Sequence, residues 1–520
     1  MAETNEDIKN KELKYNNTSE IKIPKIISEQ IIGQDEALKV IKKAASQRRN
    51  VLLIGEPGTG KCVGKEVIIP TNKGNYSSEE LYNILFQESA EYEKEDGIYI
   101  IPKKDYFAYS INNNGKIINQ RIIKAYKSNL RKKCIQVKTR SGAEIKLSGE
   151  HPILTIEKGI LLFKDASELK KGINISLARR IPLINKNKIE LKENEKNIIY
   201  NKNLILYKGI NGISSLSLKI PEELNKEIAY FLGVYVAEGS YSKGLEISNY
   251  NEKIKNRIKE IAVKNFKYPE KFIVINKKGV NFKKSRTLAY ILEKYFDQKV
   301  WDYKNKKILS KQSQHKRVPN LIQNAGKDII FAFLSGYMDG DGHFDKEGFE
   351  ASSANKDLIQ DLRLILLKLG ILSRTNSKVK YASNTKNKIK RNYFYLTITG
   401  NENLKELDKN LELLVDYKKA KLNKLTLKKA NTNIDLIYGV AGTLKELKKN
   451  IKINYKSYKI TSQAFNRYVR GKQTPSRNYI KVLVNNLEKD INLLKLRKEL
   501  MRSYINYIDL LESKIYSFKH

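Results

Sequence analysis

Two segments of the sequence repeat one another, and this duplication constrains the fold more than any other feature. They read YFLGVYVAEGSY and AFLSGYMDGDGHF. Aligning them pairs two small residues and one acid at a constant offset of 103 positions: Gly233 with Gly336, Ala237 with Gly340, and Glu238 with Asp341. An internal repeat of this kind predicts two copies of one α/β unit within the chain.

The small residues of each segment lie four positions apart and therefore share one face of a helix. Small residues on a shared face let two helices approach closely. Such a crossing would bring Glu238 and Asp341 together at adjacent helix ends, where both could ligate Mg²⁺. Val236 replaces Asp339 in the first copy, but that is not the predicted metal position. The alternative is a pair of ordinary helices ended by turn residues, and the constant offset with an acid in each copy argues against it.

A phosphate-binding loop near the N-terminus stops one residue short of completion. A strand-like run, VLLI, precedes seven residues that fit the start of the pattern G-x-x-x-x-G-K-[ST]: Gly55, Glu56, Pro57, Gly58, Thr59, Gly60 and Lys61. The next residue should be a Ser or Thr that reaches Mg²⁺, but Cys62 stands there and a strand-like run follows. We predict a site for ATP and Mg²⁺ that is interrupted after Lys61.

Basic residues greatly outnumber acidic ones after this loop. The chain holds 99 Lys and Arg against 57 Asp and Glu, a net charge of +42. Residues 1–61 contribute only 11 basic and 9 acidic residues to that balance. An excess of this size predicts a nucleic-acid partner. The alternative is a lysine-rich genome that places lysine on every surface.

The two cysteines exclude a disulfide scaffold and a cysteine-rich zinc site. Cys134 lies in CIQVKT, which we predict to be a core strand, and is assigned a structural role. The N-terminus is polar and charged, unlike a secretory signal, and no apolar run approaches the roughly 18 residues that span a membrane. As given, the chain is predicted to be cytoplasmic.

Changes in composition, and the Gly, Asn and Asp residues between the apolar runs, divide the chain into six predicted parts. They are 1–61, an α/β fragment ending in the phosphate-binding loop; 62–184, an all-β module; 185–220, a Lys/Asn-rich linker; 221–430, the duplicated α+β region; 431–490, a small basic helical region; and 491–520, a further helical linker.

These residues resemble two families. IIGQDEA and QRRNVLLIGEPGTGK resemble the start of the AAA+ ATPase domain of an archaeal Lon-type protease, ending in its Walker A loop; another AAA+ ATPase as host is the alternative. From Cys62 onward the chain resembles an intein with a LAGLIDADG homing endonuclease, on the junction Cys, LSGEHP, the doubled segment and KRVP. The fold implied is multidomain: an all-β Hint splicing module, a duplicated LAGLIDADG endonuclease, a helical region and a short AAA+ fragment.

The intein resemblance implies autocatalytic chemistry at the junction. The Cys62 thiol would attack the Lys61 carbonyl in an N–S acyl shift, since a thioester is more labile than an amide. The family's T-x-x-H motif is matched by Ser148-Gly-Glu-His151, with His151 as the proton donor and Ser148 in place of the usual Thr. A buried apolar Cys and a structural His are the alternatives.

The endonuclease resemblance implies cleavage of double-stranded DNA at the intein-free host allele. Lys316, in KRVP, matches a lysine that would act on the scissile phosphate or the attacking water; the alternative is a surface lysine. The region 431–490 resembles the accessory region of archaeal inteins, which contacts DNA. Four cations and one aromatic residue alternate in it and would suit contact with phosphates and bases: Arg467, Tyr468, Arg470, Lys472 and Arg477.

The resemblance also implies partners that the sequence lacks. No His-Asn pair occurs in it, so a C-terminal intein and host segment is expected to complete splicing. The spliced host would be an ATP-dependent serine protease, homo-hexameric and membrane-anchored, with its Walker A loop restored by a Ser or Thr. Two other classes stay open: an ATPase with an inert DNA-binding insert, and a degenerate relic.

Overall fold

In the computed structural model the chain divides into two units, residues 1–54 and 55–520. The structure describes residues 62–87, 89–94, 97–112, 116–128, 134–157, 160–190, 198–201, 204–207, 215–302, 307–380, 390–428, 435–450 and 453–496. The helix predicted before Val51, the strand that follows it and the Walker A loop lie outside the described residues, as does the linker beyond residue 496.

The first module consists mainly of short antiparallel strands, as predicted. Its elements are β1 (Ile68–Thr71), β2 (Gly74–Ser77), α1 (Ser78–Gln87), β3 (Ser89–Lys94), β4 (Gly97–Pro102), β5 (Phe107–Ile111), β6 (Ile117–Arg121), β7 (Ala125–Ser128), β8 (Cys134–Lys138), β9 (Glu144–Ser148), β10 (Pro152–Glu157) and β11 (Ile160–Asp165). They form sheets in the orders β2-β1-β5-β6, β3-β4-β7, β8-β9 and β10-β11.

Helix α1 departs from the all-β prediction. A capping box begins it: the Ser77 amide donates to Glu80 Oε2 (2.9 Å), and the Glu80 amide donates to Ser77 Oγ (3.1 Å). These reciprocal bonds satisfy amides that a helix start leaves unpaired. Leu81 and Leu85, one helical turn apart, are buried in the module's core. This local capping and spacing favour a helix within a β-rich stretch.

The segment predicted as the linker 185–220 contains paired strands instead. These are β12 (Ile198–Asn201), β13 (Leu204–Tyr207) and β14 (Leu218–Lys219), in the order β12-β13-β14. Ile205 and Leu218 are buried in the main core, and the Thr287 hydroxyl donates to the Leu216 carbonyl (2.6 Å). Short apolar alternations among the lysines and asparagines therefore join this segment to the duplicated region.

The duplicated region contains two copies of one helix–hairpin–helix–hairpin unit. The first is α2 (Lys226–Glu238), β15 (Gly239–Tyr241), β16 (Leu245–Ser248), α3 (Glu252–Phe266), β17 (Ile273–Asn276), β18 (Gly279–Phe282) and α4 (Arg286–Phe296), followed by β19 (Trp301–Asp302), β20 (Lys307–Ile308) and α5 (Asn320–Gln323). The second is α6 (Lys327–Gly340), β21 (His343–Phe344), β22 (Gly348–Ser353), α7 (Lys356–Lys368), β23 (Arg374–Lys380), β24 (Arg391–Thr399) and α8 (Asn401–Asn410), with α9 (Asp416–Thr426) after it.

The two sheets share one strand order, β15-β16-β18-β17 and β21-β22-β24-β23. Equivalent helices also start alike. Asn251 caps α3 and Asn355 caps α7, each side-chain oxygen accepting from two amides of the first turn. One hydrophobic core runs through both copies. The predicted duplication of an α/β unit is thus present in the backbone.

The last described part is a helical region, as predicted, and the structure shows that it has a core of its own. It contains α10 (Ala441–Asn450), α11 (Ser462–Val469) and α12 (Arg477–Leu496). Leu444 of α10, Phe465 of α11 and Leu483 of α12 meet in this core. None of the helices in the described parts of the chain combines the length and apolarity needed to cross a membrane.

Candidate functional sites

The two repeated helices cross through reciprocal glycine contacts. A Cβ placed on Gly233 of α2 would lie 2.1 Å from the carbonyl oxygen of Phe333. A Cβ on Gly336 of α6 would lie 2.1 Å from the carbonyl oxygen of Tyr230. Because no side chain fits at either position, the helix backbones touch, as the small residues predicted.

This crossing brings both acids to one place. Glu238 is the last residue of α2, Asp341 directly follows α6, and the Cβ of Ala237 would lie only 2.7 Å from a Cβ on Gly340. Burial, and then the charge of Asp341, raise the pKa of Glu238 to about 7. Burial likewise raises the pKa of Asp341, whose Oδ1 accepts from the Gly342 amide (2.6 Å). Two half-buried carboxylates whose ionised forms are disfavoured in this way are suited to hold a cation.

The described residues contain no cluster of three or more His, Cys, Asp or Glu that could hold a metal ion. The pair Glu238 and Asp341 therefore offers two protein ligands. Mg²⁺ is commonly held by one or two carboxylates, with substrate phosphates and water as its other ligands. The donor set fits a magnesium ion bound together with a nucleic-acid phosphate.

Asp339, the acid without a counterpart in the first copy, has a positioning role. Its carboxylate accepts hydrogen bonds from the Leu414 amide (2.9 Å), the Val415 amide (3.1 Å) and the Tyr230 hydroxyl (2.9 Å). These bonds hold the segment before α9 against the ends of the crossing helices. The Asp339 carboxylate is therefore engaged by three donors within the protein.

Lys316 is not a surface lysine. It is 6% exposed, and its Nζ donates to the Tyr235 carbonyl oxygen at 2.9 Å while lying 3.5 Å from the centre of the Tyr235 ring. Burial lowers its pKa well below the usual value. The ammonium therefore lies at the C-terminal turn of α2, three residues before Glu238.

Lys418 is an equivalent residue that the sequence analysis missed. Its Nζ donates to the carbonyl oxygens of Met338 (2.7 Å) and Asp339 (3.1 Å), at the C-terminal end of α6. Met338 follows Tyr235 by 103 positions, and Lys418 follows Lys316 by 102. The offset of the duplication, 103, would have pointed to Lys419, so the sequence holds no signal that singles out Lys418.

At the other candidate site, Cys62 pairs with Ser148. The Cys62 amide donates to Ser148 Oγ (3.1 Å), and the Ser148 amide donates to the Cys62 carbonyl oxygen (2.9 Å). Val63 bridges Leu147, so the chain after the junction runs antiparallel to β9. The nitrogen that an acyl shift would release is thus held by the hydroxyl that stands for the Thr of T-x-x-H.

His151 lies in the turn after β9. Its amide donates to the Ser148 carbonyl oxygen (3.2 Å), and its own carbonyl oxygen accepts from the Ala166 amide (3.0 Å). These bonds fix the turn three residues from Ser148. Cys134 is the cross-strand partner of Ser148, but its side chain is exposed, so its prediction as a core residue is wrong. Residues of β8 alternate between exposed and half-buried, and Cys134 falls on the exposed set.

The five residues predicted to bind DNA in the helical region separate into two groups. Arg467, Arg470 and Lys472 are exposed. Tyr468 instead lies 4.8 Å, between ring centres, from Tyr479, and Arg477 Nε donates to Asp435 (3.0 Å). The second group is engaged within the protein.

Residues 328–412 match the family described as LAGLIDADG-like domain. The chain carries a LAGLIDADG domain. The match covers the second repeat, from the first turn of α6 to the segment beyond α8, and includes Gly336 and Asp341.

The relatives of this LAGLIDADG-bearing chain are named as proteins of different kinds. A probable translation initiation factor IF-2 of Methanocaldococcus jannaschii is 27% identical over 89% of this chain and 42% of its own length. An archaeal Lon protease of Methanothermobacter thermautotrophicus is 59% identical over 51 residues, 10% of this chain and 8% of its own length. The chain thus spans less than half of either relative. The high-identity stretch is short, while the long similarity is to a protein of another kind, the pattern expected of an insert between host segments.

Among solved structures, the one described as the PabCDC21-1 intein is 24% identical and covers 25% of this chain and 73% of its own, with a TM-score of 0.20. The family match and the short stretch shared with an archaeal Lon protease confirm the predicted LAGLIDADG domain in a chain related to a Lon-type host.

Proposed function

We propose that this chain is a precursor segment of a Lon-like protease whose insert both splices and cleaves DNA. The observation that supports the nuclease most directly is the reciprocal contact of Gly233 and Gly336, which delivers Glu238 and Asp341 to one point. Two acids brought together by a duplicated fold suit cleavage of the two strands of a duplex at a shared centre.

Glu238 and Asp341 would hold Mg²⁺ in this proposal. The metal ion, when bound, would neutralise charge on the attacking and leaving oxygens of the phosphodiester. The protein places the carboxylates by helix packing and keeps them partly from water, which makes a divalent cation favourable there. Lys316 and Lys418 satisfy the carbonyl oxygens at the two helix ends, and the charge of Lys418 favours the ionised form of both acids.

The outer face of the second sheet suits contact with DNA. Alternate residues of β23 point to one face, where Arg374, Asn376 and Lys378 pair across the strand with Thr397, Tyr395 and Tyr393. Phe349 and Leu396 belong to the buried set on the opposite face. Tyr395 is buried, with Lys378 Nζ 5.2 Å from the centre of its ring. The exposed Arg374, Asn376 and Lys378 can contact phosphates and base edges. We therefore propose that duplex DNA lies across this face with its scissile phosphates near the two acids.

The splicing module would act through Cys62. The thiolate sulfur attacks the carbonyl carbon of Lys61, a carbon–sulfur bond forms, and the bond from that carbon to the Cys62 nitrogen breaks. The released amine must gain a proton, for which His151 is the proposed donor. Ser148 would act as a positioning residue, because its hydroxyl already accepts from the Cys62 amide.

Completion of this reaction would need the C-terminal intein and host segment predicted from the resemblance. The spliced host, with a hydroxyl residue after Lys61, is proposed to bind ATP and Mg²⁺ and to assemble as a membrane-anchored homo-hexameric serine protease. An ATPase with an inert insert is the competing function. It would leave the bond between Lys61 and Cys62 intact in the presence of thiols, and it would leave DNA uncut.

The test of the nuclease uses the full chain, Mg²⁺ and a duplex that encodes the uninterrupted Walker A loop. The wild type is expected to cut this duplex, and Asp341→Asn to bind it without cutting. Asp328→Asn is the matched control, because Asp328 lies in the first turn of the same helix with its side chain 74% exposed. Equal cleavage by the wild type and Asp341→Asn would contradict the role of the acids.

A further inference from the structure

The segment 316–318, which carries Lys316, is held by buried side chains, and one of these reaches the splicing module. We propose that Gln323 is a positioning residue of the nuclease, which fixes this segment to the β1–β2 hairpin of the splicing module. The inference rests on the proposed nuclease function, and it makes the placement of Lys316 depend on a contact between the two modules.

The segment forms neither helix nor strand, although Lys316 and Val318 are buried. Buried backbone groups need hydrogen-bond partners, and here side chains supply them. Asn355 Nδ2 donates to the Lys316 carbonyl oxygen (2.5 Å). Gln298 Nε2 donates to the Arg317 carbonyl oxygen (2.9 Å). The position of the Lys316 backbone therefore depends on side chains from other elements.

A buried ion pair fixes the middle of the segment. Asp361 of α7 is fully buried and accepts from Arg317 Nε (2.6 Å) and Nη2 (3.1 Å). Its Oδ2 also accepts from the Val318 amide (3.2 Å). Because a buried carboxylate that loses a partner is strongly destabilised, this arrangement allows the segment little freedom.

Gln323, the last residue of α5, connects this segment to the splicing module. It is 1% exposed, its Nε2 donates to the Val318 carbonyl oxygen (2.7 Å), and its Oε1 accepts from the Asn75 amide (2.8 Å). A side-chain amide has a donor end and an acceptor end, so these two partners determine which way it points. The Lys368 ammonium donates to the backbone carbonyl oxygen of Gln323 and fixes the end of α5.

The partner of Gln323 lies on an edge strand. Strand β2 is the outer strand of its sheet, so backbone groups on its free side need another cover. At Asn75 the nuclease provides it, because Gln323 accepts from the amide and Arg317 Nη2 donates to the carbonyl oxygen (3.4 Å). A Cβ placed on Gly74 would lie 2.1 Å from Asn320 Oδ1, at the start of α5. The hairpin and α5 are therefore in close contact.

Lys418, the equivalent lysine, is placed by contacts within the second copy. It lies in α9, and Asp339 holds the start of that helix through the Leu414 and Val415 amides. A disturbance at Gln323 should therefore reach Lys316 at the end of α2 and leave Lys418 in place. This difference separates a positioning role from a general contribution to stability.

The experiment is a double-mutant cycle on the full chain, cleaving the duplex that encodes the uninterrupted Walker A loop. Gln323→Met keeps the length of the side chain and removes both hydrogen bonds. Gln323→Glu keeps the acceptor for the Asn75 amide and replaces the donor to the Val318 carbonyl oxygen by a second acceptor. Each substitution is made in the wild type, in Lys316→Met and in Lys418→Met.

The control is Thr375→Val, which removes another hydrogen bond between the same two modules. The Thr375 hydroxyl donates to the Gly142 carbonyl oxygen (2.9 Å), and valine has nearly the same shape. Single-turnover cleavage rates are measured with Mg²⁺, and affinity for the duplex is measured without it. All rates are taken at a temperature at which thermal unfolding shows each variant to be folded.

Both Gln323 substitutions are expected to lower the cleavage rate of the wild type by about 10-fold or more, since misplacement of a group by about 1 Å can cost about 100-fold. Affinity for the duplex should stay unchanged. The same loss of rate is expected in the Lys418→Met background. In the Lys316→Met background neither substitution should lower the rate further, because the group that Gln323 positions is already absent. Thr375→Val should match the wild type.

Two contrary outcomes are distinct. If the folded Gln323 variants cleave as fast as the wild type, or if they lower the rate equally in the wild type and in Lys316→Met, Gln323 does not position Lys316. If the wild type cuts no duplex, the proposed nuclease function itself is wrong.

Discussion

Lys316 donates a hydrogen bond of 2.9 Å to the carbonyl oxygen of Tyr235, at the C-terminal turn of the helix that ends in Glu238. Lys418 makes the corresponding bond to Met338 in the second copy, at 2.7 Å. A cation at a helix C-terminus is favourable because the last carbonyl groups lack partners and carry partial negative charge. The two lysines differ in their electrostatic reach, since only the charge of Lys418 acts on both acids.

This difference predicts that the two lysines affect the pH dependence of cleavage unequally. In Lys418→Met the pKa values of Glu238 and Asp341 should rise further, because a charge that favours their ionised form is lost. The midpoint of the cleavage rate against pH is expected to move up by about one unit. Lys316→Met should leave that midpoint in place, even where the maximal rate falls. Equal shifts in both variants, at one Mg²⁺ concentration, would show that the lysines act alike.

Glu238 should make the metal-free chain less stable as pH rises. Its pKa is raised from 4.5 to about 7, so the folded chain keeps a proton that the unfolded chain has lost between these values. The stabilisation is complete below pH 4.5 and is lost as pH rises through 7, amounting to about 3 kcal/mol at most. The free energy of unfolding of Glu238→Gln, measured with urea and EDTA, should fall less steeply over this window.

The same unfolding free energies can be measured with Mg²⁺ in place of EDTA. The ion binds carboxylates without their protons, so its stabilising effect should be larger at pH 8 than at pH 5 in the wild type. The exposed Asp328→Asn variant should retain both behaviours. If the unfolding free energy of Glu238→Gln varied with pH and with Mg²⁺ as that of the wild type does, Glu238 would not be the source of either dependence.

How much the sequence predicted depends on how local each signal was. The crossing of α2 and α6 followed from two short segments that each keep glycine and an acid at the same spacing. Lys418 was missed because its surroundings, VDYKKAK, share no motif with KRVP around Lys316, and only the fold shows that both reach equivalent carbonyl oxygens.

Other misses arose from contacts between residues far apart in sequence. Arg477 stands among cations typical of a DNA surface, yet it pairs with Asp435, 42 positions earlier. The strands of the 185–220 segment are hidden in a composition of lysine and asparagine, and they are fixed by burial of Ile205 and Leu218 against the LAGLIDADG core. Local composition cannot reveal a partner supplied by another part of the chain.

The helix crossing itself can be tested at Gly336. Gly336→Ala would place a methyl group 2.1 Å from the Tyr230 carbonyl oxygen, and helix backbone cannot yield as a flexible side chain can. We expect a loss of about 3 kcal/mol or more in unfolding free energy, at the upper end for overpacking, with loss of cleavage because the acids separate. Gly149→Ala is the control, since its added methyl group would meet its nearest neighbour at 3.7 Å. A Gly336→Ala chain that unfolds and cleaves as the wild type does would refute the close crossing.

The junction chemistry is tested at Ser148, whose hydroxyl accepts from the Cys62 amide at 3.1 Å. With hydroxylamine or excess dithiothreitol, a thioester at the junction should release residues 1–61 as a fragment measurable by mass spectrometry. Ser148→Ala should slow this release about 3- to 10-fold, the effect of losing one hydrogen bond of about 1 kcal/mol, while Ser148→Thr should stay close to the wild type. Cys62→Ala should release nothing. Cys134→Ser serves as the thiol control and should behave as the wild type, because that cysteine is exposed on the neighbouring strand. Release from Cys62→Ala, or an undiminished rate in Ser148→Ala, would show that the bond is cleaved by another route.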